Sequence, residues 1–592
     1  MSPAPARSDW ILSRRWDLAL FICTPVLAVV TLIPLARYFP SAEFGAFLLA
    51  FFTFGHHLPG FMRAYGDRDL FRQYKMQFLL APPVVFAVTL WAARHDLHGL
   101  LFVAFTWDIW HVLMQQYGFL RIYDAKSARV DPWSARLDRA LALSWYLTFI
   151  ALSPHYTHDL FLRAYSTGIP AISPGVLSTI QLSLVVASAA ITAMYIFSII
   201  RDRHRGYAPN WRKVLALGCF LSATWYLYVI YPDFVVGFAV WSAFHCVQYY
   251  GIVWAYNRSR VLKAPGVGTL LRFLFRPRLA LVLLYAAMIF AYGGLNWVAR
   301  YLPKGRGLEL LMAFVITSGV LHYYYDGFIW RVRDRGLRRV LSINDTGAAP
   351  ILTPLRHPAI AQAAIASLAI AACLWLEFRS PYDATQVRRS LALTIPFFAF
   401  SQRNYANTLR EKGAYADAAA VYRKVLEIDG SDATAFHQYG LTLAAMGQER
   451  GAEEAFERAL ASDPRMKAAH YNLASLLVRR GETVKALEHF RSAVPAGDDR
   501  ALEEIEAEPG ASDALTNLAL GLIQNGQHQE AMALLRRVVN THPDNAAAQL
   551  NLASLLVMTG NRQEANVHYQ AAIASGNPSI RAAAEGALSK LR

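Results

Sequence analysis

The chain has 592 residues, is 55% hydrophobic and 13% aromatic, and carries a formal charge of +16. That length argues for more than one domain. Its four cysteines (Cys23, Cys219, Cys246, Cys373) fall in apolar stretches with no CxxC pair, which argues against a disulfide framework or a cysteine zinc site. The positive charge sits in short links between apolar runs, so it reads as membrane topology and not as a nucleic-acid surface.

A bilayer crossing needs about 20 apolar residues. Eleven runs approach that length. In chain order they lie near Leu18–Tyr38, Phe44–Met62, Phe78–Ala93, Leu100–Ile122, Ala140–Leu152, Val176–Ile200, Val214–Tyr231, Phe234–Tyr256, Leu279–Val298, Leu308–Trp330 and Ile360–Leu376. Met1 to Arg15 carries no cleavage pattern, so the first run reads as an anchor. The run Leu391–Phe400 is too short to span and is expected to lie along the interface. Lys and Arg are dense in alternate links, as with Arg63, Arg68, Arg72 and Lys75 after the second run and Arg121, Lys126, Arg136 and Arg139 after the fourth. The links between these are poorer, holding Arg37, Arg94 or Arg163. This alternation places the N-terminus in the cytoplasm, in a multi-pass inner membrane, and eleven crossings put the C-terminal part on the periplasmic side.

Polar residues interrupt four of the runs. Trp107-Asp108-Ile109-Trp110-His111 continues to Gln115-Gln116-Tyr117-Gly118, and Trp241 to Gly251 repeats its order with His245 and Gln248. The other two interruptions are His56-His57 and the stretch from His322 to Asp326. Such side chains are costly in hydrocarbon and by default mark function. The four runs share one direction across the membrane, and each histidine lies roughly 11 to 14 residues in, so all should share one depth. Residues four apart share a helix face, which aligns His111 with Gln115 and His322 with Asp326; His245 and Gln248 are three apart. His56, His57, His111, His245 and His322 are therefore candidate metal ligands, with Asp326, Gln115 and Gln248 as catalytic, orienting or additional groups. The expected cofactor is a divalent transition metal, iron first. A haem between paired histidines and plain interhelical hydrogen bonding are the alternatives. The aromatics around the histidines, such as Trp107, Trp241, Tyr249 and Tyr323, are read mainly as packing, with some lining a cavity for an apolar substrate.

The histidine-bearing runs resemble multipass histidine-rich enzymes such as the Brp/Blh carotenoid-cleaving dioxygenases and the membrane fatty-acid hydroxylases. The likeness is confined to histidines on several spans. The HxxxH and HxxHH boxes of the hydroxylases are absent. A histidine-ligated metal facing a lipid-like cavity argues for oxygen chemistry on a lipid or isoprenoid, or for metal-assisted hydrolysis, and the resemblance adds no substrate.

From Ser401 a period of 34 appears. Small residues recur at Ala406, Gly440, Ala474, Ala519 and Ala553, and alanines at Ala418, Ala452, Ala486, Ala531 and Ala565. Four residues after each of those alanines stands a large side chain: Tyr422, Phe456, Phe490, Leu535 and Tyr569. This pattern resembles the tetratricopeptide repeat, in which small residues let paired helices approach. Extra residues enter near Pro495–Gly510, and Ser579–Arg592 reads as a capping helix.

The expected fold is therefore all-α: a polytopic membrane helix bundle over 1–378, a linker or interfacial segment over 379–400, and a repeat solenoid over 401–592. The expected function is an integral membrane metal enzyme, an oxidoreductase or oxygenase, acting on a lipid-like or membrane-associated substrate. Its repeats would dock a protein or peptide partner. One alternative is a lipid-linked glycosyltransferase with outward repeats. Such enzymes share an acidic pair on the first outer loop, and only Glu43 stands there. The other is a non-enzymatic membrane scaffold.

Overall fold

In hydrocarbon a backbone must satisfy its own polar groups, and a continuous apolar segment does so as an α-helix. The computed structural model describes residues 9–127, 132–263, 267–276, 278–330, 358–379, 382–493 and 511–591. Among the described residues 84% are helical. Apart from one β-bridge between Asp67 and Val267, no strand occurs among the described residues. It divides into two compact units, Met1–Ile395 and Pro396–Arg592.

Four helices of the first unit carry the polar interruptions: α1 (Ser41–Gly66), α2 (Gly99–Lys126), α3 (Phe234–Lys263) and α4 (Arg306–Ile329). Helix α1 is irregular. Leu48–Phe54 is wound as a π-helix between α-helical Ser41–Phe47 and His57–Gly66. Beside this stretch the backbones nearly touch. A Cβ on Gly293 would lie 2.7 Å from the Ala50 carbonyl oxygen and 2.8 Å from the Phe51 Cα, so only glycine fits there.

Among the described residues six helices are long and apolar enough to cross a membrane: α1, Lys75–Arg94, Pro174–His204, Trp211–Ile230, Leu279–Tyr301 and α4. The number rises to eight if each of two bent pairs counts as one span. The sequence count of eleven exceeds this. Helices α2 and α3, of 28 and 30 residues, are absent from the six. They carry His111, Gln115 and Gln116, and His245 and Gln248, which lower their hydropathy. Pro132–Leu152 is likewise interrupted by Arg136, Asp138 and Arg139.

The charges at one end of α2 are paired. Lys213 Nζ lies 2.9 Å from Asp138 and 3.2 Å from Asp124, and Arg121 joins the same two carboxylates. Buried charges persist only when matched in this way. Part of the expected linker belongs to the first unit. Ala384–Thr394 is helical and buries Val387 and Leu391 against Ala164 and Tyr165. The Thr394 hydroxyl also lies 2.9 Å from that of Tyr165 and donates to the Ile172 carbonyl at 2.9 Å.

The second unit is a run of helix pairs. Ala399–Glu411 pairs with Tyr415–Ile428, Ala433–Ala445 with Glu449–Ser462, and Lys467–Arg479 with Thr483–Ala493. Ala511–Gln524 and His528–Thr541 follow, then Ala546–Met558 and Arg562–Ala574, and finally Pro578–Leu591. The first helix of each pair ends at a glycine of positive φ (Gly413, Gly447, Gly481, Gly526, Gly560), a conformation that stops a helix cheaply only without a Cβ. Ala406, Ala474, Ala519 and Ala553 are buried at the helix contacts, beside Tyr422, Phe456, Leu535 and Tyr569. The extra residues expected near Pro495–Gly510 lie outside the described residues.

Candidate functional site

Each of the four site helices turns an imidazole into a shared buried interior. His56 from α1, His111 from α2, His245 from α3 and His322 from α4 are all buried. Ring centroids are 4.4 Å apart for His56 and His322, 4.7 Å for His111 and His322, and 5.1 Å for both His56 and His111 against His245. The Nε2 atoms of His111 and His322 are 3.2 Å apart.

Backbone and side-chain partners fix part of the ring chemistry. Nδ1 of His56 faces the Thr53 carbonyl, at the end of the π-helical stretch. A carbonyl only accepts, so Nδ1 carries the proton and Nε2 presents its lone pair. That Nε2 is buried and has no partner; the same holds for both nitrogens of His245 and for Nδ1 of His322. Ligand atoms converge in two trios, each within 4.8 Å: His56, His111 and His245, and His111, His322 and Asp326. His111 belongs to both. Imidazole and carboxylate in this combination suit iron, zinc, copper or manganese, and Nε2 of His56 and one nitrogen of His245 are unpartnered atoms that could bind such an ion.

Asp326 is placed by its neighbours. Its Oδ2 lies 3.7 Å from His322 Nε2 and 4.0 Å from His111 Nε2. Its Oδ1 accepts from the Tyr249 hydroxyl at 3.0 Å, and that hydroxyl accepts from Trp330 Nε1 at 3.3 Å. The approach of α1 to this group depends on Gly60, where a Cβ would lie 2.7 Å from the Tyr249 oxygen and 3.3 Å from His322 Nδ1.

The remaining candidates are placed differently. His57 stacks on His322 with centroids 4.8 Å apart but belongs to neither trio. Its Nδ1 lies 2.9 Å from Ser318 Oγ, which in turn lies 2.8 Å from the Tyr292 hydroxyl. Gln115 donates to the His245 backbone carbonyl at 3.0 Å, not to a ring. Gln248 donates to the Phe21 carbonyl at 2.8 Å and pairs with Gln116. It thus ties α3 to α2 and to the start of the chain. The sequence reading took Tyr249 only as packing or cavity lining, and passed over Ser318 and Gly60. The four-residue spacing of His245 and Tyr249 was the available signal for the first.

A cavity of about 360 Å³ adjoins the histidines. Trp107, Trp110, Met114 and Trp330 are among its walls, and His111, Gln115, Tyr249 and Asp326 also line it. Arg63 lies one turn beyond Gly60 on α1. Its guanidinium is held between the rings of Tyr256 and Trp330, at 3.9 and 3.7 Å, and donates to the Ile329 carbonyl at 2.8 Å.

The repeats define the class of the second unit: it is a tetratricopeptide-repeat domain. Tetratricopeptide-repeat family models match residues 440–501 and 522–590. Among individual proteins, a tetratricopeptide-repeat and J-domain co-chaperone of Cryptococcus neoformans var. grubii is 25% identical over 140 residues, 24% of this chain and 27% of that protein. The probable UDP-N-acetylglucosamine–peptide N-acetylglucosaminyltransferase SPINDLY of Hordeum vulgare is 33% identical over 89 residues, 15% of this chain and 9% of that protein. The chain therefore spans about a quarter of the co-chaperone and less than a tenth of the transferase. Among solved structures, YrrB, described as a TPR protein with an unusual peptide-binding site, is 24% identical. The match covers 35% of this chain and 100% of that one, with a TM-score of 0.29. MamA is 22% identical over 31% of this chain and 96% of its own, with a TM-score of 0.24.

Proposed function

We propose that the first unit is a membrane-embedded metal enzyme and that the repeat domain docks a protein or peptide partner. One observation carries the reading. Four histidines from four separate helices meet in an apolar interior with ring nitrogens left unpartnered. Interhelical hydrogen bonding would have used those atoms, since a buried donor or acceptor without a partner costs about 1–3 kcal/mol. His56, His111 and His245 would hold the ion, with His322 and Asp326 as the second set sharing His111. Iron is the leading candidate, and it would supply Lewis acidity or one-electron chemistry at the cavity. The chain's own residues do the rest. Tyr249 orients Asp326, and tryptophans exclude water around an apolar or lipid-like substrate. This makes the protein an oxidoreductase of membrane lipids or isoprenoids, in an inner membrane, with a cytoplasmic N-terminus and periplasmic repeats if eleven segments cross.

The lipid-linked transferase reading needs a free acid on the first outer link. Glu43 there is held by Arg300 through both oxygens, at 2.7 and 2.9 Å. The metal reading is tested by purifying the protein, measuring bound metals by mass spectrometry and recording a visible spectrum, beside a His111→Ala, His245→Ala double variant. Near-stoichiometric metal that is lost in the variant is the expected result. A Soret band would replace the ion by haem. A folded preparation without metal would refute the centre and leave the scaffold reading.

A further inference from the structure

The cavity beside the histidines is a slot between three helices, and its lining repeats at helical spacing. Trp107, His111, Met114, Gly118 and Ile122 line it from one face of α2. Tyr323, Asp326 and Trp330 line it from α4, and Tyr249 and Ile252 from α3. The α2 and α4 stripes run the same way. The rings of Trp107 and Tyr323 lie 6.4 Å apart at one end, and Trp330 packs on the cluster of Phe119 and Ile122 at the other. At the helical rise the α2 stripe is about 22 Å long, more than one leaflet of a bilayer at about 15 Å. A volume of about 360 Å³ over that length gives a section of about 16 Å², the width of one hydrocarbon chain and not of two. The histidine centre is not midway along the slot. His111 stands about 6 Å from the level of Trp107 and about 16 Å from that of Ile122. Past Gln115 the α2 lining is Gly118, Phe119 and Ile122, so the long arm meets no polar side chain of that helix. Gly118 stands in that arm, and a Cβ added there meets nothing within 4 Å among the described residues.

We propose that the slot binds one extended hydrocarbon chain, its end against Trp107 and Tyr323, and that Gly118 is the position that admits long chains. A short chain ends before Gly118. A longer one must pass it, and a residue without a side chain leaves the passage open. The inference rests on the cavity being the substrate cavity of the proposed enzyme. It deepens that reading from a lipid-like substrate to a single long chain that the histidine centre meets near one end. Gly118 is then a specificity residue, remote from the reacting atoms and selective for length.

The test uses the full chain in lipid nanodiscs after treatment with a chelator. The probes are hexane and hexadecane, each carrying a diazirine next to one end. Photolysis attaches each probe where it lies, and peptide mass spectrometry locates the adduct. Label on the slot residues Met114 and Tyr323 is divided by label on Pro174–His204, a largely exposed apolar helix, which removes the effect of partitioning. In the wild-type chain both probes are expected to label the slot more heavily than that helix. Gly118→Leu is expected to keep the short probe's labelling and to lower the long probe's about tenfold, the cost of overpacking one buried site. Wild-type labelling no heavier than on the reference helix overturns the proposal without any variant. So does a folded Gly118→Leu chain that treats the two probes alike. Metal content, measured separately, decides the other reading. A length-selective slot in a chain that binds no metal upholds Gly118 and sinks the metal centre, and a metal-binding chain with an unlabelled slot does the reverse.

Discussion

Replacing Gly60 by alanine tests how tightly the site is built. The added Cβ would lie 2.7 Å from the Tyr249 oxygen and 3.3 Å from His322 Nδ1. Ordinary contact begins near 3.4 Å, so the Tyr249 hydroxyl must retreat by more than half an ångström. The residue is only 2% exposed, and its hydroxyl can retreat only by pulling away from Asp326 and Trp330. Overpacking of this kind costs about 1–3 kcal/mol. Moving the hydroxyl also weakens its hydrogen bond to the Asp326 carboxylate, worth about 1–2 kcal/mol. The better helix propensity of alanine returns about 1 kcal/mol. The net expectation is a loss of about 2 kcal/mol. Gly118 supplies the control, since it lines the same cavity from α2 and an added Cβ there meets nothing within 4 Å. Gly118→Ala should be neutral or stabilising by up to about 1 kcal/mol. Reversible unfolding by SDS in mixed micelles, followed by tryptophan fluorescence, measures both. Two variants that agree within about 0.5 kcal/mol would refute the packing argument.

Further outcomes are expected. His111→Ala removes the residue common to both trios and should abolish metal binding, whereas His57→Ala, outside both, should retain it; elemental analysis of the two variants checks this. Tyr249→Phe deprives Asp326 of its donor and should weaken metal binding about 10–100-fold, read by competition with a chelating dye. In the repeat domain, burial, with Arg410 beside it, holds His437 down from the ordinary 6.5 to about 4, and Asn472 donates to its Nε2 at 2.9 Å. The folded state therefore binds this proton less readily than the unfolded state. Stability present above pH 6.5 is lost as pH falls towards 4, by up to about 3 kcal/mol. Hydrogen exchange of peptides from Ala433–Ala445 in the full chain should accelerate over that range beyond its intrinsic pH dependence, and His437→Gln should remove the effect. A reporter fused after the repeats locates them. Periplasmic activity agrees with eleven crossings, and cytoplasmic activity with six or eight.

Four buried histidines were legible because polar residues stand out in apolar runs, and the shared direction of the runs gave them one depth. Asp326 was legible by its four-residue spacing from His322. The glutamines show where spacing stops. It puts Gln248 on the face of His245, but the tertiary competition among Gln116, the Phe21 carbonyl and the ring is invisible in one helix, and the first two win. Gln115 likewise prefers a backbone carbonyl to an imidazole. His56 and His57 are adjacent and looked equivalent, yet only His56 joins a trio, because consecutive helical positions face different ways. The sequence reading counted α2 and α3 as crossings; they fall outside the six long apolar helices because the site's polar groups dilute their apolar signal. The repeats were read directly, because their period is written in small residues whose role is steric and local.

The π-helical stretch of α1 has a consequence for how the chain tolerates changes in length. A π-turn holds one residue more than the α-turn it replaces, so Leu48–Phe54 stores slack between two anchored ends. A one-residue deletion inside it can be absorbed by tightening to an α-helix, with the flanking faces still in place. The same deletion between His57 and Gly66 has no slack to draw on. It would turn the rest of α1 by about 100°, carrying Gly60 and Arg63 away from Tyr249 and Trp330. A single deletion should therefore be survivable on one side of His56 and ruinous on the other.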